Sequence, residues 1–462
     1  MLDHLELGSV FPALFIDGVE ATPYVVGTLR LTERGVGIQV PYAKDEPEFA
    51  NVQTWFSEER EPPHHLKVAS TELRMSLFGC QFSGHTENYG STYSALGSIE
   101  VEEALMKQRE GDHHLPLLVE EVESEIDGLF EFSRLSSISR EYQSTGSGRD
   151  IRNSITYTVK GVDGLEWQQG EATLSISTSW HGEGSQGVNI VDQAVLHSKF
   201  PTARPFKDHL AEQRKFVAFL SIVFGKPIAF RQHKVRDENL PSRTMDGEIH
   251  HYPFTELISR QTARDFSTPR PDHSEFLYAL TQMPALSAEA LKKWGEGYDG
   301  RNRFLLPLVG LLRVRDLFME NKVINAAMSL EAYGKGIVTH VDGEDVTYWN
   351  GNPVTATFIL RGVQTLNLSW LPIAPSAVAI ARAIKDNYNS IKHPRGDFPD
   401  PLVTQVLGEI AIGVARLLAL KLVMSDEEFE RADKVQPFRR AIDISNANGL
   451  RIAEDGTVTT GA

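Results

Sequence analysis

The 462-residue sequence predicts an α+β protein, a β-rich N-terminal sandwich or barrel-like domain followed by a C-terminal helical bundle. Two observations carry this. Up to about Phe200 the apolar residues come in short alternating runs rich in Thr, Ile, Val and aromatics, whereas beyond His273 they recur with the spacing of helices. Between the two, residues 231–272 change composition and become rich in charge, His and Pro.

The alternating runs are 28–40, 72–80, 129–139, 154–161 and 171–180, separated by Gly, Asn or Asp as expected of half-exposed antiparallel strands. Residues 84–97 and 143–150 read as long polar loops open to a ligand. Phe206–Phe224 then turns helical: Leu210, Phe216, Val217, Leu220 and Val223 share a face, and Gly225-Lys226-Pro227 is a stop signal. These patterns place the N-terminal domain at 1–255, with a helix near 206–224 and a strand-like HHYPF at 250–254, and a linker at 256–274.

Helices are expected over 275–283, 288–297, 303–320, 326–334, 376–393 and 401–424, giving a helical domain over 275–440. The β-like TATFIL (355–360) and turn signals at 342–343 and 350–352 predict an inserted hairpin within 339–368. The polar tail, 441–462, is expected to be mobile.

Composition restricts the function classes. Hydrophobic content of 41% and charged content of 23% are those of a soluble globular chain. The single cysteine, Cys80, excludes an intramolecular disulfide and a thiolate metal cluster, and it fits a reducing compartment. The N-terminus is acidic where an export signal would be basic, so the expected location is the cytoplasm. Residues 401–424 are interrupted by Glu409, Arg416 and Lys421, which marks a buried helix and not a membrane span. A net charge of −16 disfavours indiscriminate nucleic-acid binding. Two local patches oppose the average: four Lys/Arg against one acid over 373–396, and five against two over 301–322.

The first patch holds the candidate site. At about 100° per residue, Arg382, Asp386, Asn389 and His393 form one polar stripe, with Ile380, Ile384 and Ile391 opposite. His393 precedes Pro394, which places its imidazole at the helix C-terminus, where the dipole favours the protonated form. A histidine so placed suits acid or base catalysis of RNA cleavage, with Arg382 or Lys385 stabilising the phosphorane charge and Asn389 orienting phosphate or ribose. Glu331, on the helix 324–336, would orient His393 or pair with Arg382. The plainer alternatives are a solvated helix face and a surface salt bridge. The pairs His64-His65, His113-His114 and His250-His251 lack the i, i+4 spacing of a helical zinc site, and YGKGI (333–337) lacks the Ser/Thr of a phosphate loop. No metal or cofactor is expected.

The order of parts, with FLSIVFGKPI (219–228), SLEAYGK (329–335) and YNSIKHP (388–394), resembles the ApeA-type abortive-infection proteins, in which an N-terminal domain precedes a HEPN-like helical domain. The resemblance implies a commonly dimeric, metal-independent ribonuclease acting in anti-phage defence. Its signature is an Arg followed after four to six residues by a His. His393 matches the His, and Asn389-Ser390-Ile391-Lys392-His393 resembles the usual ending. Tyr388, Asn387 and Asp386 stand where the Arg belongs, and none is basic; Lys385 and Arg382 lie further back. Arg382 shares the face of His393 but lies roughly 16 Å away along the axis; in a dimer, Arg382 or Lys385 of the second copy would approach His393. Glu331 resembles the acidic residue of an earlier HEPN helix.

The expected protein is therefore a β-rich sensor of a phage-derived trigger joined to a HEPN-like domain that acts on RNA, including tRNA, as a homodimer away from membranes. Two alternatives stand beside it: a catalytically inactive HEPN-like module that binds nucleotide, RNA or a protein partner, and a ligand-binding β domain on a helical dimerisation scaffold.

Overall fold

The computed structural model describes residues 6–19, 24–43, 46–71, 73–89, 93–111, 115–145, 152–183, 189–371, 373–393 and 398–460. It divides into two compact units, one comprising Met1–Phe130, Leu135–Gln213 and Ala229–Pro271, the other Glu131–Arg134, Arg214–Ile228 and Asp272–Ala462. The architecture is α+β, a large N-terminal antiparallel sheet followed by C-terminal helices.

Fourteen strands among the described residues build the sheet: β1 (Val10–Ile16), β2 (Val25–Thr32), β3 (Gly35–Ala43), β4 (His65–Ala69), β5 (Arg74–Phe78), β6 (Gln81–Tyr89), β7 (Tyr93–Glu100), β8 (Glu103–Leu105), β9 (Leu118–Ile126), β10 (Asp163–Gln169), β11 (Ala172–Glu183), β12 (Asn189–Pro205), β13 (Phe230–Arg236) and β14 (Thr255–Ser259). Their order is β10-β11-β12-β9-β13-β14-β8-β5-β4-β1-β2-β3-β7-β6. Alternation decides which face each strand buries: in β2, Val25, Leu29 and Leu31 point inward while Val26 and Arg30 face out. Phe15, Leu29, Ile38, Phe56, Leu66 and Met75 belong to one core cluster.

A second region of this unit is held by buried polar groups. The hydroxyl of Ser124 lies 2.6 Å from Gln213 Oε1 and 2.7 Å from His233 Nδ1, and His233 Nε2 lies 3.0 Å from the Thr262 hydroxyl. Asp127 and Arg231, 7% and 4% exposed, form a two-pronged ion pair at 2.7 and 2.6 Å. Arg231 also donates to the carbonyls of Asp265, Thr268 and Pro269, which pins the segment after β14.

Several local readings are corrected here. Residues 84–97 are not a loop: β6 and β7 pair as a hairpin, with residues 90–92 outside the described residues. Likewise 143–145 complete a strand paired with 152–154, and the rest of that expected loop, 146–150, lies outside the described residues. Residues 129–133 form a helical turn, because Leu129 and Phe132 bury at i, i+3 and Phe132 meets Phe216 and Phe219 edge-on. The start of the expected linker is β14, an interior strand whose Leu257 and Ile258 are buried between β13 and β8.

The second unit contains α2 to α8 and the later part of α1; its helices of two turns or more begin, in chain order, with α1 (Phe206–Phe224), whose residues from Arg214 belong to this unit, then α2 (Ala288–Tyr298), α3 (Asn302–Arg313), α4 (Met319–Lys335), α5 (Thr355–Thr365), α6 (Ala377–Lys392), α7 (Pro401–Lys421) and α8 (Arg439–Ala447). Residues 273–276 make only a single 3-10 turn, and the expected helix over 275–283 does not extend beyond it. Helix α7 is long and apolar enough to cross a membrane by length and composition, yet 78% of that stretch is buried, and α4 and α8 pack along it. The expected hairpin at 355–360 is α5, whose Ala356, Ile359, Leu360 and Val363 bury with helical spacing. Gly334 permits α4 to touch α5: a Cβ there would lie 1.8 Å from the Phe358 carbonyl oxygen. Within the tail, 450–452 and 458–460 pair as a hairpin, and Ile452 N–H donates to the Ile373 carbonyl at 3.1 Å.

Replacing Arg231 with Met would leave Asp127 buried without its partner, and removal of one member of such a pair costs about 3–5 kcal/mol. Urea unfolding of full-length Arg231→Met is expected to show that loss in the β-rich unit; a variant as stable as wild type would contradict the role given to the pair.

Candidate functional site

Helix α6 starts where Ser376 accepts a hydrogen bond from Ala379 N–H at 3.1 Å, a normal N-cap. It ends where His393 leaves helical geometry while its N–H still bonds the Asn389 carbonyl at 2.8 Å. Between them, Ala379, Ile380, Ala383, Ile384, Asn387 and Tyr388 face the interior. Asn387 fixes the rotation of the helix by donating to the Thr404 hydroxyl of α7 at 3.1 Å. The opposite side carries Arg382, Asp386, Asn389 and His393, all at least partly exposed.

That side opens on a cleft of about 450 Å³. Arg382, Lys385, Asp386 and Asn389 line it from α6; Tyr348 and Trp349 line it from the loop before α5, and Asp455 from the hairpin in the tail. The hairpin sits tightly on α6, since a Cβ at Gly456 would come within 2.6 Å of Arg382 Cβ.

The sequence-selected residues have distinct surroundings. Arg382 donates to the carbonyls of Val346 and, at 3.4 Å, Glu454. Asp386 pairs with its neighbour Lys385 at 2.5 Å and not with Arg382. Asn389 lines the cleft with no side-chain partner among the described residues. The imidazole of His393 is exposed one turn further along, likewise without a side-chain partner there; it is not among the residues lining the cleft. Glu331 bonds Lys335 at 2.5 Å and accepts from the Thr355 hydroxyl at 3.2 Å, so it touches the cleft wall through Thr355 and pairs with neither His393 nor Arg382. Lys392 donates to the Tyr388 hydroxyl at 3.1 Å; that bond first, and the nearby Glu331 charge as a smaller cause, hold its ammonium pKa above the usual value.

Reasoning from sequence missed the loop before α5. Trp349 is 71% exposed at the cleft, and the turn signal at 350–352 beside two aromatics was its only trace. It also missed what holds that loop. Arg361 grips the fully buried Glu344 at 3.0 and 2.5 Å and the Ile337 carbonyl at 2.8 Å, while the Tyr348 hydroxyl donates to Glu344 at 2.6 Å. The Arg361 hydrogen bonds, supported by those from Tyr348 and Val341 N–H, bring the Glu344 pKa from its usual 4.5 to about 2.

A carboxyl depressed in this way contributes its full stabilisation above the ordinary pKa and loses it as pH falls through the folded one. The wild type is therefore expected to lose helical stability as pH falls from 4.5 towards 2. In Arg361→Gln, circular dichroism should find lower stability at neutral pH and a smaller acid loss from this site. An unchanged acid limb in the variant would refute the assignment.

Comparison with known proteins adds one finding. A family model described as ApeA N-terminal domain 1 matches residues 20–294, more than half of the chain. No curated protein and no solved structure matches. The match supports a function of the anti-phage, abortive-infection type, and it ends before every residue of the cleft beside α6. On a match of that extent to its β-rich sheet and the start of its helices, the chain belongs to the ApeA family.

Proposed function

We propose that this abortive-infection protein is a cytoplasmic two-part device, in which the β-rich unit answers a phage-derived trigger and the helical unit, a HEPN-like domain, cleaves RNA without a metal ion. One observation carries the reading: along a single face of α6, an exposed His393 follows Asn389, both without a side-chain partner among the described residues, and two cations that line a cleft with the exposed Trp349.

The chemistry would run as follows. A ribose 2′-hydroxyl attacks the adjacent phosphorus, the 5′-oxygen leaves, and a 2′,3′-cyclic phosphate forms. His393 takes the proton from the 2′-hydroxyl or delivers one to the departing 5′-oxygen, and water serves the other oxygen. The Asn389 amide donates to a non-bridging phosphate oxygen, and Lys385 or Arg382 supplies positive charge. Trp349 offers its ring to a neighbouring base. A homodimer formed through the helical unit would bring a second set of the same cations to the site.

A second reading, RNA or nucleotide binding without cleavage, is favoured by the commitments of the two cations. Arg382 is bonded to backbone carbonyls and Lys385 to Asp386. Incubating the full-length protein with total tRNA in EDTA separates the readings. The first expects cleavage that falls by about 100-fold or more in His393→Ala. Tight RNA binding with no cleavage, even with phage lysate present as trigger, would leave only the second. Both readings expect Trp349→Ala to weaken RNA binding by about 1–3 kcal/mol, measured by fluorescence anisotropy with a short unpaired RNA.

A further inference from the structure

The basic stretch 301–322 has no part in the α6 cleft. Two of its cations, Arg315 and Lys322, line a different cavity of the helical unit, about 330 Å³ in volume, together with Lys226, Arg416 and Arg440. Two carboxylates also line it, and both are engaged: Glu275 with Lys226 at 3.3 Å and Glu409 with Arg440 at 3.3 Å. Arg315, Lys322 and Arg416 have no carboxylate within ion-pair distance among the described residues. Five cations against two carboxylates leave this concavity with a net charge of +3.

Arg416 makes this more than a surface patch. It is 6% exposed, and its Nε and Nη2 donate to the carbonyls of Ile222 and Val223, at 2.7 and 3.0 Å, where α1 ends. The chain turns past it at Gly225, in left-handed geometry at φ +71°, and a Cβ there would lie 2.6 Å from Nη1. Burial lowers the pKa of the guanidinium to about 10, opposed by Glu409, so it stays charged at neutral pH. A buried cation satisfied only by carbonyls gains strongly from an anion that reaches it.

We propose that this cavity binds the diphosphate or triphosphate group of a small ligand. A net charge of +3 around a concave site suits a compact polyanion of two or three charges, and a guanidinium fork suits phosphate oxygens. Leu311, Ile412 and Pro437 supply an apolar wall, and among the described residues no aromatic ring lines the cavity to stack successive bases. The site shares no residue with the cleft beside α6.

The test is calorimetric titration of the full-length protein, at low ionic strength, with inorganic pyrophosphate and separately with ATP. Wild type is expected to bind at one saturable site, and Arg315→Gln/Lys322→Gln to bind about tenfold or more weakly with an unchanged unliganded Tm; both positions are at least partly exposed, so the fold does not depend on them. His393→Ala should bind as wild type does. Equal affinity for the two probes assigns recognition to the phosphates alone, and tighter ATP binding assigns part of it to the nucleoside; both support the site. No saturable binding, an unaffected double variant, or displacement of pyrophosphate by an RNA oligomer with a 5′-hydroxyl would overturn the proposal.

Discussion

The helical unit depends on covering α7. Nearly every residue of that helix from Val406 to Leu420 is buried, on all sides, and each fully buried Leu, Ile or Val contributes about 1.5–3 kcal/mol only if neighbours exclude water from it. A helix without a solvent face needs a complete sheath, and α3, α4, α5, α6 and α8 provide it. Helix α6 can join the sheath only through its Ala379, Ile380, Ala383 and Ile384 side, and the Asn387 bond to Thr404 locks that rotation. The outward direction of Arg382, Asp386, Asn389 and His393 follows from packing on the opposite face, before any functional demand is considered.

This is also why α6 was the most legible element. Its cap at Ser376, its apolar spacing and Pro394 after His393 are local signals that agree with each other. Helix α5 was not legible, because Thr, Phe and Ile in TATFIL favour a strand locally while burial of Ala356, Ile359, Leu360 and Val363 selects a helix. Strand β14 was hidden by the charge-rich residues around it, although Leu257 and Ile258 sit deep in the sheet. At the site, the side-chain types could be read from sequence, but their partners could not. Arg382 meets Val346 and Glu454, which lie 36 and 72 residues away, and no periodicity encodes such contacts.

The electrostatics follow the same division. A chain of net charge −16 keeps many of its cations in company: in the sheet unit, Arg260 pairs with Glu100 and Glu102, and Arg270 with Glu125. In the helical unit, the amide and imidazole of α6 and the cations Arg315, Lys322 and Arg416 stand outside that pattern, without such partners among the described residues. On the proposed reading, these donors attract anions and give the helical unit two places for phosphate chemistry.

The central claim is that RNA is engaged along the outward face of α6. Photocrosslinking of the full-length protein to an unpaired RNA containing 4-thiouridine, followed by mass spectrometric mapping, addresses it directly. The account predicts crosslinked peptides from 346–356 and 382–393, with Trp349 prominent. Crosslinks confined to the β-rich unit, or to the cavity around Arg315 and Arg416, would contradict it.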